Sequence, residues 1–260
     1  MPASFTFFRF DMASSADTFV NAEGQTLSLE FAIEPLVNLR RGAMAAVRIE
    51  PVVRHVRSGK LIPSTAFARL SDDDVGVIDR AAATFAANCS HNLSLILPLS
   101  FRTMAARRGR AELAAATSGS RDDLKRRIIV ELTDIDRGTP AGRMTEVAAL
   151  VGEIFRGVFA RLPAGRDAMA PVQSARLQGL TLDASELAGT DSEAAGLLLE
   201  FAAQAKGLAP TLVAQGLPAE GYMAVAEVAG FTHAALRGTP EPMAESYRPE
   251  PSERRISRAS

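Results

Sequence analysis

The sequence predicts an α/β fold, a (β/α)8 barrel of the TIM type, from the order of its apolar stretches. Short, continuously apolar runs alternate with amphipathic helical ones along most of the 260 residues. That is the pattern of parallel strands buried on both faces with helices between them. Seven or eight such strands in this length suit a closed barrel better than an open sheet. Polar residues also interrupt several strands near their carboxyl ends, the face on which such barrels carry their sites.

Taken in order, residues 1–26 form an N-terminal extension. Its "FTFFRF" is a short strand or a partner-docking segment, with packing against the domain expected. The barrel spans 27–245. It opens with two apolar strands, "LSLEFAIEPLV" (27–37) and "AMAAVRIEPVV" (43–53), joined tightly through "RRG". "SDDDVGVIDRAAATFAAN" (71–88) is a helix with Ser71 as N-cap and acids in its first turn, where they offset the helix dipole. "LSLILPLS" (93–100) is a buried strand. "FRTMAARRGRAELAAAT" reads as one helix with "RRGR" on a solvated face. "RIIVELTD" (127–134) is a strand, a helix follows near 143–156, and "GVFARLP" and "ARLQGLTLDAS" continue the alternation. The helix "SEAAGLLLEFAAQAKG" ends at Gly207. A strand "APTLVAQG", a helix "AEGYMAVAEVAG" and a last strand "FTHAALRG" complete the barrel. The polar, proline-bearing residues 246–260 are expected to be a disordered tail.

Composition narrows the function classes. A net charge of −1 and a pI near 6.3 give no global field to favour nucleic acid or an anionic membrane. One cysteine, Cys89 in "TFAANCS", excludes an internal disulfide, suits a reducing compartment and reads as a small core filler. No signal peptide or apolar stretch long enough to span a bilayer is evident, so a cytoplasmic location is expected. His55, His91 and His233 lack neighbours at zinc-ligand spacing. No P-loop, dinucleotide glycine loop or Gly-x-Ser-x-Gly elbow is present.

The candidate site residues are the polar strand ends: Glu34, Glu50 with Arg54, Glu131, Asp183 and Gln215. Three carboxylates could hold a divalent cation through oxygen ligands, a pair could serve a glycosidase, or the strand ends could simply meet water.

In order, these strand ends resemble the EAL family of cyclic di-GMP phosphodiesterases, from about Leu27 to Met243. "FAIEPLVNLRRG" is similar to the family's "YQPIVDLRTG" and "VRIEPVVRH" to "VEALLRW". "IPSTAFARLSDDDVGVIDRAA" is similar to "ISPAEFIPLAEETGLI", "LILPLS" to "VNLS" and "VELTD" to "LEITE". "LTLDASEL" is similar to "LKIDRSFV", "LVAQGLP" to "VVAEGVE" and "GTPEPM" to "FSRPM". The resemblance implies a modified, EAL-like barrel. It places Glu50 on the signature glutamate, Arg54 on the ligand-approaching arginine, and Glu131 and Asp183 on metal-binding carboxylates.

The departures weigh more than the matches. The family's metal-binding asparagine is Pro98, its lysine is Thr181, its "EGVE" glutamate is Gln215 and its opening glutamine is Glu34. The aspartates of its "DDFGTG" loop fall on Ala160 and Arg161 or, in another register, on Pro163 and Ala164. Two-metal hydrolysis needs ions about 3.5–4 Å apart held by shared anions. The expectation is therefore a catalytically inactive domain that regulates by binding another, unknown protein. That class includes regulators of motility and of cyclic di-GMP signalling; helix surface near the loop after Pro163 is a natural interface, and the loop "PAGRDAMAPVQSA" itself reads as a linker before a rebuilt contact. No cofactor is expected, and cyclic di-GMP binding should be weak or absent, because Glu34 puts an anion opposite the phosphates. A weak single ion at Glu50 and Glu131 stays open. So do a non-hydrolysing receptor using magnesium or manganese with the dinucleotide, a residual phosphodiesterase, and the oligomeric state. Glu50 and Arg54 otherwise read as a strand-end ion pair.

Overall fold

The computed structural model describes residues 17–89, 94–120, 122, 126–165, 167–184 and 191–237. "FTFFRF", His91, "GTPEPM" and the C-terminal tail lie outside these residues.

Ten strands form one sheet: β1 (Asp17–Val20), β2 (Thr26–Asn38), β3 (Ala43–His55), β4 (Leu61–Ile62), β5 (Ser94–Ser100), β6 (Ile128–Thr133), β7 (Gly157–Leu162), β8 (Gly179–Asp183), β9 (Thr211–Leu217) and β10 (His233–Leu236). The order is β1-β2-β10-β9-β8-β7-β6-β5-β3-β4, and an added β2–β3 pairing closes eight of the strands into a barrel. The predicted barrel is thus present, with one modification. β2 runs antiparallel to both of its barrel neighbours, β3 and β10, while the other seven strands are parallel. The "RRG" connection imposes this. Leaving only a short turn between two strands forces a hairpin, because a parallel pair needs a crossover of a dozen residues or more. Gly42 takes φ +59° in that turn.

Helices α1 (Asp72–Asn88), α2 (Phe101–Ala105), α3 (Arg107–Ala116), α4 (Ala141–Ile154), α5 (Asp191–Ala205) and α6 (Gly221–Ala229) cover the barrel. The main core lies between them and the sheet, where Leu95, Leu97, Met104, Val130, Val147, Val151 and Leu198 are buried. Cys89 is part of this core, and burial pushes its thiol up. Ser71 caps α1 as expected, its hydroxyl accepting from the Asp74 N–H at 3.1 Å. The single helix predicted over 101–117 is instead two, broken at the extended residue Ala106. Arg110 and Arg143 donate to the freed carbonyls of Met104 and Ala105, so Arg110 caps α2 rather than facing solvent. Gly109 permits the fold-back, since a Cβ there would lie 2.4 Å from the Thr103 carbonyl oxygen.

Inside the barrel, strand alternation stacks side chains in layers. Leu36, Ala46, Ile96, Phe159, Val213 and Ala235 make an apolar floor. Gly179 is required there, because a Cβ would meet the Phe159 ring at 2.6 Å. Above the floor the alternation delivers Arg48, Glu131 and Thr181, all fully buried. The ladder between β3 and β5 runs only from Ala46–Ser94 to Arg48–Ile96. It stops before Pro98, which has no N–H to continue it.

Past that point β2 and β3 continue as a hairpin flanked by β1 and β4. One face of this extension packs Leu27, Leu29 and Val53 onto Phe67 and Ile78. Among the described residues no helix is long and apolar enough to cross a membrane.

Candidate functional site

Glu131 is the centre of the polar layer. Arg48 grips it with two bonds, Nη1 to Oε2 at 2.6 Å and Nη2 to Oε1 at 2.7 Å. The Thr181 hydroxyl donates to Oε1 at 2.6 Å, and Arg161 Nε donates to Oε2 at 2.8 Å. A carboxylate offers about four lone-pair sites, and these four donors fill them. Burial alone would push Glu131 up, but the Arg48 and Arg161 charges outweigh it and hold the carboxyl below its usual range.

Arg161 then bridges the polar layer. Its Nη2 donates to Glu50 Oε2 at 3.0 Å and its Nη1 lies 4.0 Å from Asp183 Oδ2. One guanidinium thus sits among Glu50, Glu131 and Asp183, the three carboxylates that sequence reading put together. Burial opposes its charge, yet Glu50 and Glu131 raise it well above the ordinary arginine range. The strand pairing puts Arg161 opposite Thr181 in β7–β8, with Pro163 beyond the strand.

Glu34 and Gln215 form a pair of their own, Gln215 Nε2 donating to Glu34 Oε2. Burial and then the nearby Glu50 charge push the Glu34 carboxyl up. Gln215 Oε1 and Arg48 Nε have no partner among the described residues.

Arg54 is not part of this constellation. It lies four residues beyond Glu50 on β3, paired in register with Ser28 and Leu61. Two residues on one strand face four apart are separated by about 13 Å. The expected strand-end ion pair is therefore replaced by Glu50–Arg161. β3 runs on to His55, so Glu50 is not at a strand end at all. Arg48 escaped the sequence reading, although it stands two residues before Glu50, on the same strand face. His233 is satisfied locally by Asn38 and Thr232, and burial pushes its imidazole down.

This donor set does not fit a pair of divalent cations. Glu131 has no lone pair left, Glu50 is already bonded to a guanidinium, and Pro98 in register with Glu131 offers no donor oxygen from its side chain. An ion entering here would meet a fixed positive charge.

A second polar cluster lies under α1. Asp79 is buried and accepts the Ser100 N–H at 3.2 Å, with Thr103 as a further partner. Among the described residues no guanidinium is bonded to it, and burial, against a smaller pull from Arg102, pushes its carboxyl up to about 7. Asp134, hydrogen-bonded to the same Ser100 and held at φ 55°, is pushed up by burial as well.

No family model and no curated protein matches the sequence. Solved structures do. A standalone versatile EAL protein from Vibrio cholerae O395, in its c-di-GMP-bound form, is similar with a TM-score of 0.61 and 13% identity over 80% of this chain and 89% of that one. The Xanthomonas citri FimX EAL domain in complex with c-diGMP gives 0.59 and 14% over 80% and 85%. The manganese/cy-diGMP complex of Klebsiella pneumoniae BlrP1 gives 0.60 and 12% over 85% of this chain. The chain spans 57% of BlrP1 and 61% of the EAL enzyme Bd1971 in its cAMP-bound form. At such identities the likeness is one of fold: this chain is an EAL-like barrel.

Proposed function

We propose that this barrel hydrolyses no cyclic dinucleotide and acts instead as a regulatory protein-binding module in bacterial signalling, in the cytoplasm, with weak or no cyclic di-GMP binding. The observation that carries the reading is the placement of Arg161, bonded to both Glu50 and Glu131. Two-metal hydrolysis requires carboxylates free to bridge two dications. Here the bridging charge is already matched by a guanidinium that cannot leave and cannot activate water. A dinucleotide would bring two phosphates to a polar layer where Glu50, Glu131 and Asp183 face two guanidinia, with Glu34 beside them pushed towards its neutral form. That residual negative charge opposes binding.

Calorimetric titration with cyclic di-GMP in magnesium or calcium, beside a hydrolysis assay in manganese, tests the proposal. The expected result is no heat and no linear product. Micromolar binding without cleavage would make the chain a nucleotide receptor, and linear dinucleotide would overturn the reading. Co-purification from the native organism would then name the protein partner.

A further inference from the structure

The inward face of the barrel does not end at the mouth. Along β3 the residues that share it are Arg48, Glu50, Val52 and Arg54, and along β2 they are Glu34, Ala32, Glu30, Ser28 and Thr26. The β2–β3 extension therefore carries the same face out of the barrel, and its tip lies roughly 20 Å along the strand past Glu50. Two turns meet at that tip. Val20 pairs with Thr26, whose carbonyl accepts the Val56 N–H at 3.1 Å, and Leu61 stands opposite Arg54.

The alternation puts Val20, Val56, Leu61 and Arg54 on one side, away from α1. Val20 is 65% exposed, Val56 52% and Leu61 37%, which makes three of the five exposed large apolar side chains among the described residues. The β3–β4 turn adds Arg57 and Lys60, both exposed, around Gly59 at φ +67°. Arg54, Arg57 and Lys60 form no ion pair among the described residues, whereas Arg80, Arg102, Arg108 and Arg143 are each engaged with an acid. Two acids adjoin the tip against these three cations: Glu23, bonded to Gln25 at 3.1 Å, and Asp74, which accepts the Ala22 N–H of the same turn at 3.1 Å. Glu30 and Asp17 lie further from the tip.

We propose that this tip is a docking surface for anionic phospholipid headgroups, with Val20, Val56 and Leu61 entering the interface while Arg54, Arg57 and Lys60 pair with phosphates. Apolar side chains on a projecting turn have nothing concave to receive a peptide, but a lipid interface accepts a convex tip. Each cation near such a surface is worth about a fivefold gain in affinity, and the apolar side chains add a salt-resistant part. The overall charge of −1 conceals this local excess. The site is independent of whether the barrel hydrolyses anything.

The test is co-sedimentation of the full chain with vesicles of phosphatidylcholine, with and without about one-third phosphatidylglycerol. Binding is expected to the anionic vesicles only, and to weaken with salt. Arg57→Glu with Lys60→Glu should lower it by about 30-fold or more, and Val20→Ser with Val56→Ser should remove the part that survives salt. All four are exposed positions, and unchanged circular dichroism and unfolding midpoints confirm that the variants fold. No sedimentation with anionic vesicles, equal sedimentation with neutral ones, or variants that bind as wild type would overturn the proposal. So would capture of a polyglutamate peptide by the same cations without vesicle binding, which would assign the tip to an acidic protein instead.

Discussion

Glu131 and Asp79 are both buried carboxylates in one small barrel, and they are shifted in opposite directions. Glu131 is held below the usual range and Asp79 is pushed up to about 7. Burial acts on both in the same direction. What differs is the counter-charge: Glu131 is bonded to two guanidinia, while the bonds given for Asp79 come from the neutral Ser100 N–H and Thr103, with Arg102 acting on it only through space and opposed by Asp134. A buried acid stays charged only when a fixed cation matches it. In this barrel that cation is arginine, and it comes from the chain itself.

Removing the cation gives the largest effect. Arg161→Met leaves Glu50 without its partner and Glu131 with one guanidinium fewer. The variant should unfold with a loss of about 3–5 kcal/mol in urea titrations. A loss under about 1 kcal/mol would show that the contact has the weight of a surface pair.

The opposite sign is expected at Asp79. Its proton is held more tightly in the folded protein than in the unfolded chain, so its contribution to stability is present at acidic pH and is lost as pH rises from about 4 to about 7. Asp79→Asn keeps an acceptor for Ser100 and should flatten that slope, stabilising the protein above pH 7 by about 2–4 kcal/mol. Glu131 works the other way, its contribution fading as pH falls below the ordinary glutamate range. Unfolding midpoints across pH separate the two, and an unchanged slope in Asp79→Asn would contradict the contrast. Asp134, beside the same serine, and Glu34 are pushed up as well and add slopes of the same sign.

Two smaller effects refine the picture. Thr181→Val deletes one of the four donors on Glu131 and should cost about 2 kcal/mol, because the bond reaches a charged acceptor. Ser71→Ala removes the α1 cap together with the hydroxyl's bond to Asp74, and its expected cost of about 1 kcal/mol sets the scale for a helix-end contact.

The sequence shows the barrel because apolar strands and helices repeat along it, and Pro98 reads correctly as a position with no donor oxygen. The arginines were harder to see. Arg161 lies near a strand end, and only its pairing with β8 shows that it stands beside Thr181. Arg48 was visible through alternation with Glu50, but an arginine in an apolar run is easily taken for a strand end. Arg54 stands four residues beyond Glu50, the spacing of the family motif, and β3 continues past the mouth with it on the face that Glu50 shares. The break at Ala106 depends on Gly109 meeting Thr103, a contact that no helical period announces.

Manganese binding to the wild-type chain, followed by electron paramagnetic resonance with and without cyclic di-GMP, tests the central claim most directly. With Arg161 bonded to Glu50 and Glu131, no exchange-coupled pair of ions should appear at any manganese concentration that leaves the protein folded. A coupled two-manganese signal that disappears in Glu131→Gln would contradict the account.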